Sequence, residues 1–263
     1  MAENLGMKSQ IDQLRSEAEA NYSANRWEDS AKTYEHLVGL AQDNNDLALA
    51  IDFAIAAIRS WGNLPDKYQR INKLYQVIGI IGLKKAALGF ETLAEKAKEE
   101  NDLKQAAGQY EEAGDGFRYI MNFDKAKNCY KTSVEIFGNL GNEALKNKDY
   151  ENSIYLLTRT RNIYDKILLL LETIIVQSKD LDNISQKTVL EEKEIFLKLT
   201  KQVNQDIAKS HEYLAIFYTQ KNDPDYDSIA EKEFIKAITI LESIGETQEV
   251  KKLMERKKKF LKQ

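Results

Sequence analysis

The spacing of small and aromatic residues over 86–133 constrains this chain more than any other feature. Ala106, Tyr110 and Ala113 follow in steps of four and three, and Ala126, Tyr130 and Ser133 repeat that order 20 residues later. Ala86, Phe90 and Leu93 show the same steps 20 residues earlier. Steps of four and three keep all three residues on one helix face. Small residues let a neighbouring helix approach, and the aromatic ring fills the hollow between turns. Each such helix needs the next to cover its apolar stripe, so the pattern predicts a stack of antiparallel helices, about 20 residues per helix and turn.

Composition agrees with helices. Two Pro and 12 Gly in 263 residues are too few for the frequent turns of a sheet protein. With 38 basic and 42 acidic residues the formal charge is −4, which points to neither nucleic acid nor an anionic membrane. The single cysteine, Cys129, excludes an intramolecular disulfide and fits a reducing compartment. "MAENLGMKSQIDQLR" has no apolar signal core, and Ala2 excludes the usual myristoylation signal. The longest apolar run, "ILLLLETIIV" at 167–176, is interrupted by Glu172 and is short for a membrane span. These features predict a soluble, cytoplasmic protein.

Periodicity predicts helices over 7–23, 27–41, 47–61, 66–80, 83–99, 103–119, 123–147, 150–178, 188–219, 228–244 and 247–263. Gly62 is the expected C-cap of the third, Pro65 suits the first turn of the fourth, and Gly82 separates fourth from fifth. "NLGNEALKNKDY" at 139–150 looks like the start of a tetratricopeptide unit, but it follows Gly114 too closely for a unit of that length. One long helix over 123–147, with Gly138 and Gly141 inside it, is the better reading. The expected fold is all-α: a right-handed, tetratricopeptide-like superhelical solenoid of about 11 antiparallel helices. Residues 1–178 would form the solenoid and 179–263 a bundle of longer helices packed on it.

Residues for catalysis are sparse. His36 and His211 lack a Glu or His one turn earlier, so neither begins a helical metal site. His211 lies beside the stripe Val203, Ile207, Leu214 and suits a hydrogen-bonded packing role. Cys129 has no paired His and reads as a small apolar residue. "GIIG" and "GDG" lack the spacing and the following Lys-Ser/Thr of a phosphate loop. The chain therefore implies no enzyme, cofactor or metal.

The order of these signals resembles the soluble NSF attachment proteins, a branch of the tetratricopeptide-like solenoids. "ANRWEDSAKTYEHL" (24–37) is similar to that family's early turn and acidic helix start. Residues 56–117 follow its central block: the Asn and Pro turn, the Gly turn before Ala86 and Ala87, and a tyrosine helix ending in Ala-Gly-Asp. "AKNCYKTS" and "KDYENSIYLL" look like the next pair. The likeness covers roughly residues 10 to 160 and is one of architecture.

The resemblance implies a non-catalytic adaptor that lies along a coiled-coil membrane-fusion (SNARE-like) complex and recruits an AAA+ ATPase to pull it apart. It implies basic residues facing the bundle, an apolar N-terminal loop touching membrane and an acidic C-terminal end near a leucine. Arg118, Lys125, Lys127, Arg159 and Arg161 are the candidates for the partner-facing stripe. The N-terminus departs from the pattern, with Leu5 and Met7 where paired phenylalanines belong. The tail departs further. Residues 247–263 carry +5, against −9 for the rest, although Leu261 stands near the end. Lys251, Lys252, Arg256, Lys257, Lys258, Lys259 and Lys262 with an apolar side of Val250, Met254 and Leu261 suit a solenoid cap, an acidic partner or peripheral contact with anionic lipid. Nucleic acid is not implied by so acidic a remainder. The alternative is a general tetratricopeptide scaffold holding the peptide tail of a soluble partner, although no Lys and Asn carboxylate clamp is evident. A phosphopeptide reader would need a Lys, Arg, Arg and Tyr cluster, and none has the right spacing.

Overall fold

The computed structural model describes residues 2–177, 183–221 and 224–261, with side chains from 8, 186 and 225 onward in the respective segments. Leu5, Met7, Lys262 and most of the link at 179–186 lie outside the described side chains. Ten helices occur among the described residues and no strand. They are α1 (Ala2–Ser23), α2 (Trp27–Asp43), α3 (Leu47–Trp61), α4 (Tyr68–Glu99), α5 (Leu103–Tyr119), α6 (Phe123–Lys146), α7 (Tyr150–Gln177), α8 (Asn183–Thr219), α9 (Pro224–Ser243) and α10 (Thr247–Phe260).

Six of the turns share one design. Asn25, Asn45, Asn101, Met121, Lys148 and Gly245 each take a positive φ between 58° and 76°. Each N–H donates to the carbonyl three residues back, and the next N–H donates to the carbonyl five back, as from Met121 to Arg118 and from Asn122 to Phe117. This closes the preceding helix and satisfies its orphan carbonyls. The residue after the left-handed position then opens the next helix: Asp46 accepts from Leu49 N–H and Asp102 from Gln105 N–H, each at 3.0 Å. Glycine scarcity is thus no obstacle, because Asn tolerates the left-handed region and fills three of the six positions. Met121 tolerates it poorly, and its side chain is 68 % exposed. Met121→Gly is expected to stabilise the protein by about 1 kcal/mol, read as a higher urea midpoint; an unchanged or lower midpoint would contradict this account of the turn.

Counted from those turns, the steps of four and three recur more widely than the small–aromatic–small signal. Ser30, Tyr34 and Leu37 in α2, Ala50, Ala54 and Ala57 in α3, and Ser153, Leu157 and Thr160 in α7 occupy the same steps as the triplets of α5 and α6, and all are buried. The triplet Ala86, Phe90, Leu93 is not one of them. Ala86 and Leu93 are exposed, and the buried small residues of α4 are Ala87, Ala94 and Ala97. The register there is shifted because no turn precedes it. The predicted break at Gly82 is absent, and α4 runs unbroken from Tyr68 to Glu99, so two expected helices are one. Gly79 and Gly82 have open space around their Cα, and two solvated glycines cost the helix only about 1 kcal/mol each. Gly62 is the C-cap of α3 as expected, with a right-handed φ of −63°; Asp66 takes a left-handed φ of 58°, and because α4 opens only at Tyr68, Pro65 lies before that helix rather than in its first turn. The long helix predicted over 123–147 is present as α6, with Gly138 and Gly141 inside it.

The chain divides into two compact units, Met1–Gly89 and Phe90–Gln263. The link at 179–186 falls inside the second. In the first unit α1 packs on α2 and α2 on α3, and the start of α4 joins their core through Leu74 and Ile81. Trp61 is fully buried there, its indole N–H donating to Glu35 at 2.6 Å. In the second unit consecutive helices from α5 to α10 pack in turn. Side-chain bridges link alternate helices as well: Glu111 of α5 meets Arg159 of α7, and Glu192 of α8 meets Lys127 of α6. That unit is therefore a two-layer stack of helices.

Candidate docking site

On the α5–α7 side, the facing edges carry a ladder of opposite charges. Glu111, only 10 % exposed, accepts from Arg159 at 2.5 Å and from Lys166 at 2.8 Å. Lys166 also donates to Asp115 at 2.5 Å. Burial pulls the Lys166 ammonium down, but its bonds to Asp115 and Glu111 outweigh that and hold it above its ordinary value. Asp115 in turn accepts the Tyr130 hydroxyl at 2.5 Å. The equivalent tyrosine one helix earlier, Tyr110, donates to Glu95. Burial first, and then the bonded carboxylate, push both phenols well above the usual tyrosine value. At the head of the ladder Lys104 lies 4.7 Å from the Tyr155 ring, above a recess of about 320 Å³ floored by Phe137.

The α4–α6–α8 side is bridged differently. Lys125 reaches Glu91 at 3.2 Å, and Lys127 and Lys131 share Glu192 at 2.9 and 2.8 Å. Burial would raise the Glu192 carboxyl, yet the two ammonium groups hold it below the usual carboxylate range. Beside this bridge runs a groove of about 430 Å³. Val134, Tyr164 and Phe196 line it, with Ile195 and Leu199 on one wall and Lys131 and Glu135 on the other. Lys131 sits 5.4 Å from the Phe196 ring, which packs on Tyr164.

The candidate cations are thus divided. Lys125, Lys127 and Arg159 bridge helices within the chain. Arg118 lies over the Tyr119 ring at 5.1 Å, and Arg161 donates to Asn162. In the basic helix α10, Arg256 and Lys257 are likewise engaged, with Glu212 at 2.5 Å and Glu231 at 2.8 Å. Lys252 pairs with Glu249, whereas Lys251, Lys258 and Lys259 are exposed and form no ion pair among the described residues. Val250 and Leu253 are the buried side of this helix, and Leu261 packs partly on the same core; Met254 faces outward at 42 % exposure. The helix packs as a cap on α8 and α9.

Sequence reasoning did not identify Lys131, Lys166 or Glu192, because lysine–glutamate pairs between helices leave no local spacing. Ile195 and Leu199 left no separate signal either: Leu199 falls in steps of three and four with Phe196, Val203 and Ile207, so spacing alone does not mark it as exposed.

His211 is the hydrogen-bonded packing residue that its stripe implied. Its Nδ1 lies 2.5 Å from Glu233, which also binds Lys236 at 2.6 Å. Burial pushes the imidazole below its ordinary value. For Glu233, burial works against ionisation, but Lys236 and His211 outweigh it and keep the carboxyl low. The pair fits a neutral imidazole whose Nδ1–H donates to a carboxylate. The unfolded chain would protonate its histidine near pH ~6.5, the folded one only lower. Stability is then full above that pH and falls as pH drops below it. Urea midpoints between about pH 7.5 and 5.5 should decline in the native protein and decline less in His211→Gln. Equal slopes would contradict the assignment. The Cys129 thiol, buried in α6, is pushed up to about 11 by that burial.

Among the described residues no group of His, Cys, Asp and Glu is arranged to hold a metal, and no helix is long and apolar enough to cross a membrane. No protein-family model matches the sequence, and no curated protein matches it significantly.

Proposed function

We propose that this chain is a non-catalytic adaptor, similar to the soluble NSF attachment proteins, that docks on a coiled-coil, helical-bundle complex. The observation that carries the reading is the stack itself. Consecutive helices, closed by one repeated turn and tied layer by layer through charged bridges, present long helix edges of the kind a rod-shaped partner can lie along. Over residues 56–117 the turn holding Asn63 and Pro65 and the tyrosine helix α5 support the likeness, whereas α4 runs unbroken through the Gly turn expected before Ala86 and Ala87. A right-handed, tetratricopeptide-like superhelix and a cytoplasmic, peripherally membrane-associated location belong to this reading. So does recruitment of an AAA+ ATPase, for which the free lysines of α10 are a different surface from the family's acidic end.

Arg118 and Arg161, the two candidates outside ion pairs among the described residues, and the partly exposed Arg159 are the residues through which an acidic bundle would be steered. Recovery from native lysate at low and high salt tests the proposal. Salt-sensitive recovery of coiled-coil membrane proteins together with an AAA+ ATPase supports it, and loss of that ATPase on removing residues 247–263 would assign the tail. Recovery only of soluble proteins through isolated tails, with no ATPase at either salt, favours the peptide-scaffold alternative and overturns the adaptor.

A further inference from the structure

We propose that the groove between α6 and α8 is a docking site for one amphipathic helix, carrying apolar residues one turn apart with a basic residue beside them. It deepens the scaffold reading above and rests on it only in taking the chain as a binding protein.

The groove wall is apolar where solvent would favour polar residues. Ile195 is 56 % and Leu199 38 % exposed, and they stand four residues apart on α8, so both point along one ridge beside the hollow floored by Val134, Tyr164 and Phe196. Leu190 and Leu197 are also about half exposed on the same stretch. This stretch lies outside the core that α9 and α10 build on α8, which draws on Ala208 and Ala215 further along. A concave channel between two helices receives the ridge of a third helix. Its volume of about 430 Å³ has room for a few side chains and not for a folded domain.

The rim charges select the sign of the partner. Glu192 is occupied by Lys127 and Lys131, and Lys131 is further held over the Phe196 ring. Glu135, one turn along α6 from Lys131, is exposed and has no ion pair among the described residues. Among the described residues it is the one lining charge without an ion pair, so the complementary helix carries a Lys or Arg opposite it. An anionic lipid surface would meet Glu135 with like charge and could not fill a recessed floor.

The test uses the full chain and a fluorescent synthetic helix of Leu, Ala and Lys, with Leu one turn apart, followed by anisotropy. Saturable binding in the micromolar range is expected. Ile195→Asp and Glu135→Lys should each weaken it about tenfold or more, with unchanged unfolding midpoints since both positions are exposed. A second helix with Glu in place of Lys should bind the Glu135→Lys variant better than the native chain. Lys258→Glu on α10 should change nothing. No saturation, or native-like affinity in Ile195→Asp, overturns the proposal. Failure here with salt-sensitive bundle capture intact faults the groove alone; failure of both faults the scaffold reading itself.

Discussion

Replacing Gly114 with alanine is expected to destabilise the second unit by about 3 kcal/mol, although it adds a single methyl group. A Cβ at this position would lie 2.6 Å from Cδ1 and Cε1 of Tyr130, well inside contact distance. The ring has nowhere to go. It is fully buried, its hydroxyl is held by Asp115, and the Lys166 ammonium lies 5.8 Å from its centre. Moving it would break the bond to Asp115 and disturb Lys166 together, or push α5 from α6. Two controls isolate the contact. Gly108→Ala adds a methyl to open space on the same helix and should be neutral or slightly stabilising. Gly138→Ala would meet Thr160 at ordinary contact distances, Cγ2 at 3.7 Å and Oγ1 at 4.0 Å. A urea midpoint for Gly114→Ala close to that of either control would sink the close-packing account.

Glu111→Gln carries the second large effect, a loss of about 2 kcal/mol. The carboxylate is nearly buried and serves two cations, so the neutral amide leaves Arg159 and Lys166 facing each other with only Asp115 as counter-charge. Breaking a buried pair costs more than this, but the cations are 39 % and 31 % exposed and water recovers part of the loss. The penalty should shrink in Glu111→Gln/Arg159→Met, where one unpaired cation is removed as well. Strictly additive losses in that cycle would show that Arg159 and Glu111 act independently.

These two sites show where sequence reasoning reaches its limit. The triplets Ala106, Tyr110, Ala113 and Ala126, Tyr130, Ser133 announce helices because helical spacing is local, and both fold as they should. The same spacing at 86–93 misleads, since a triplet in steps of four and three fixes a face but not which face is buried. What sets the phase is the turn, and Met121 and Lys148 are residues whose left-handed conformation no composition rule anticipates. Gly82 shows the converse, a glycine that reads as punctuation but sits in an unbroken helix. The charged ladder was legible only as a surplus of Lys and Glu. Which cation turns inward depends on packing between residues about 50 apart, as with Arg159 and Glu111. Three of the five cations expected for the partner-facing stripe are for that reason engaged within the chain, while the apolar ridge of Ile195 and Leu199 emerges only when α6 is laid beside α8.

The pairing of Tyr110 with Glu95 and Tyr130 with Asp115 also gives the stack a built-in optical gauge. A free phenol ionises near pH ~10 and its absorbance moves to longer wavelength when it does. Within the fold these two are kept protonated, first by burial and then by a carboxylate that accepts their hydrogen bond and repels a phenolate. Alkali therefore favours the open chain, and stability drains away as pH climbs past that point. The late rise of tyrosinate colour would report, without any label, the moment at which neighbouring helices of the second unit come apart.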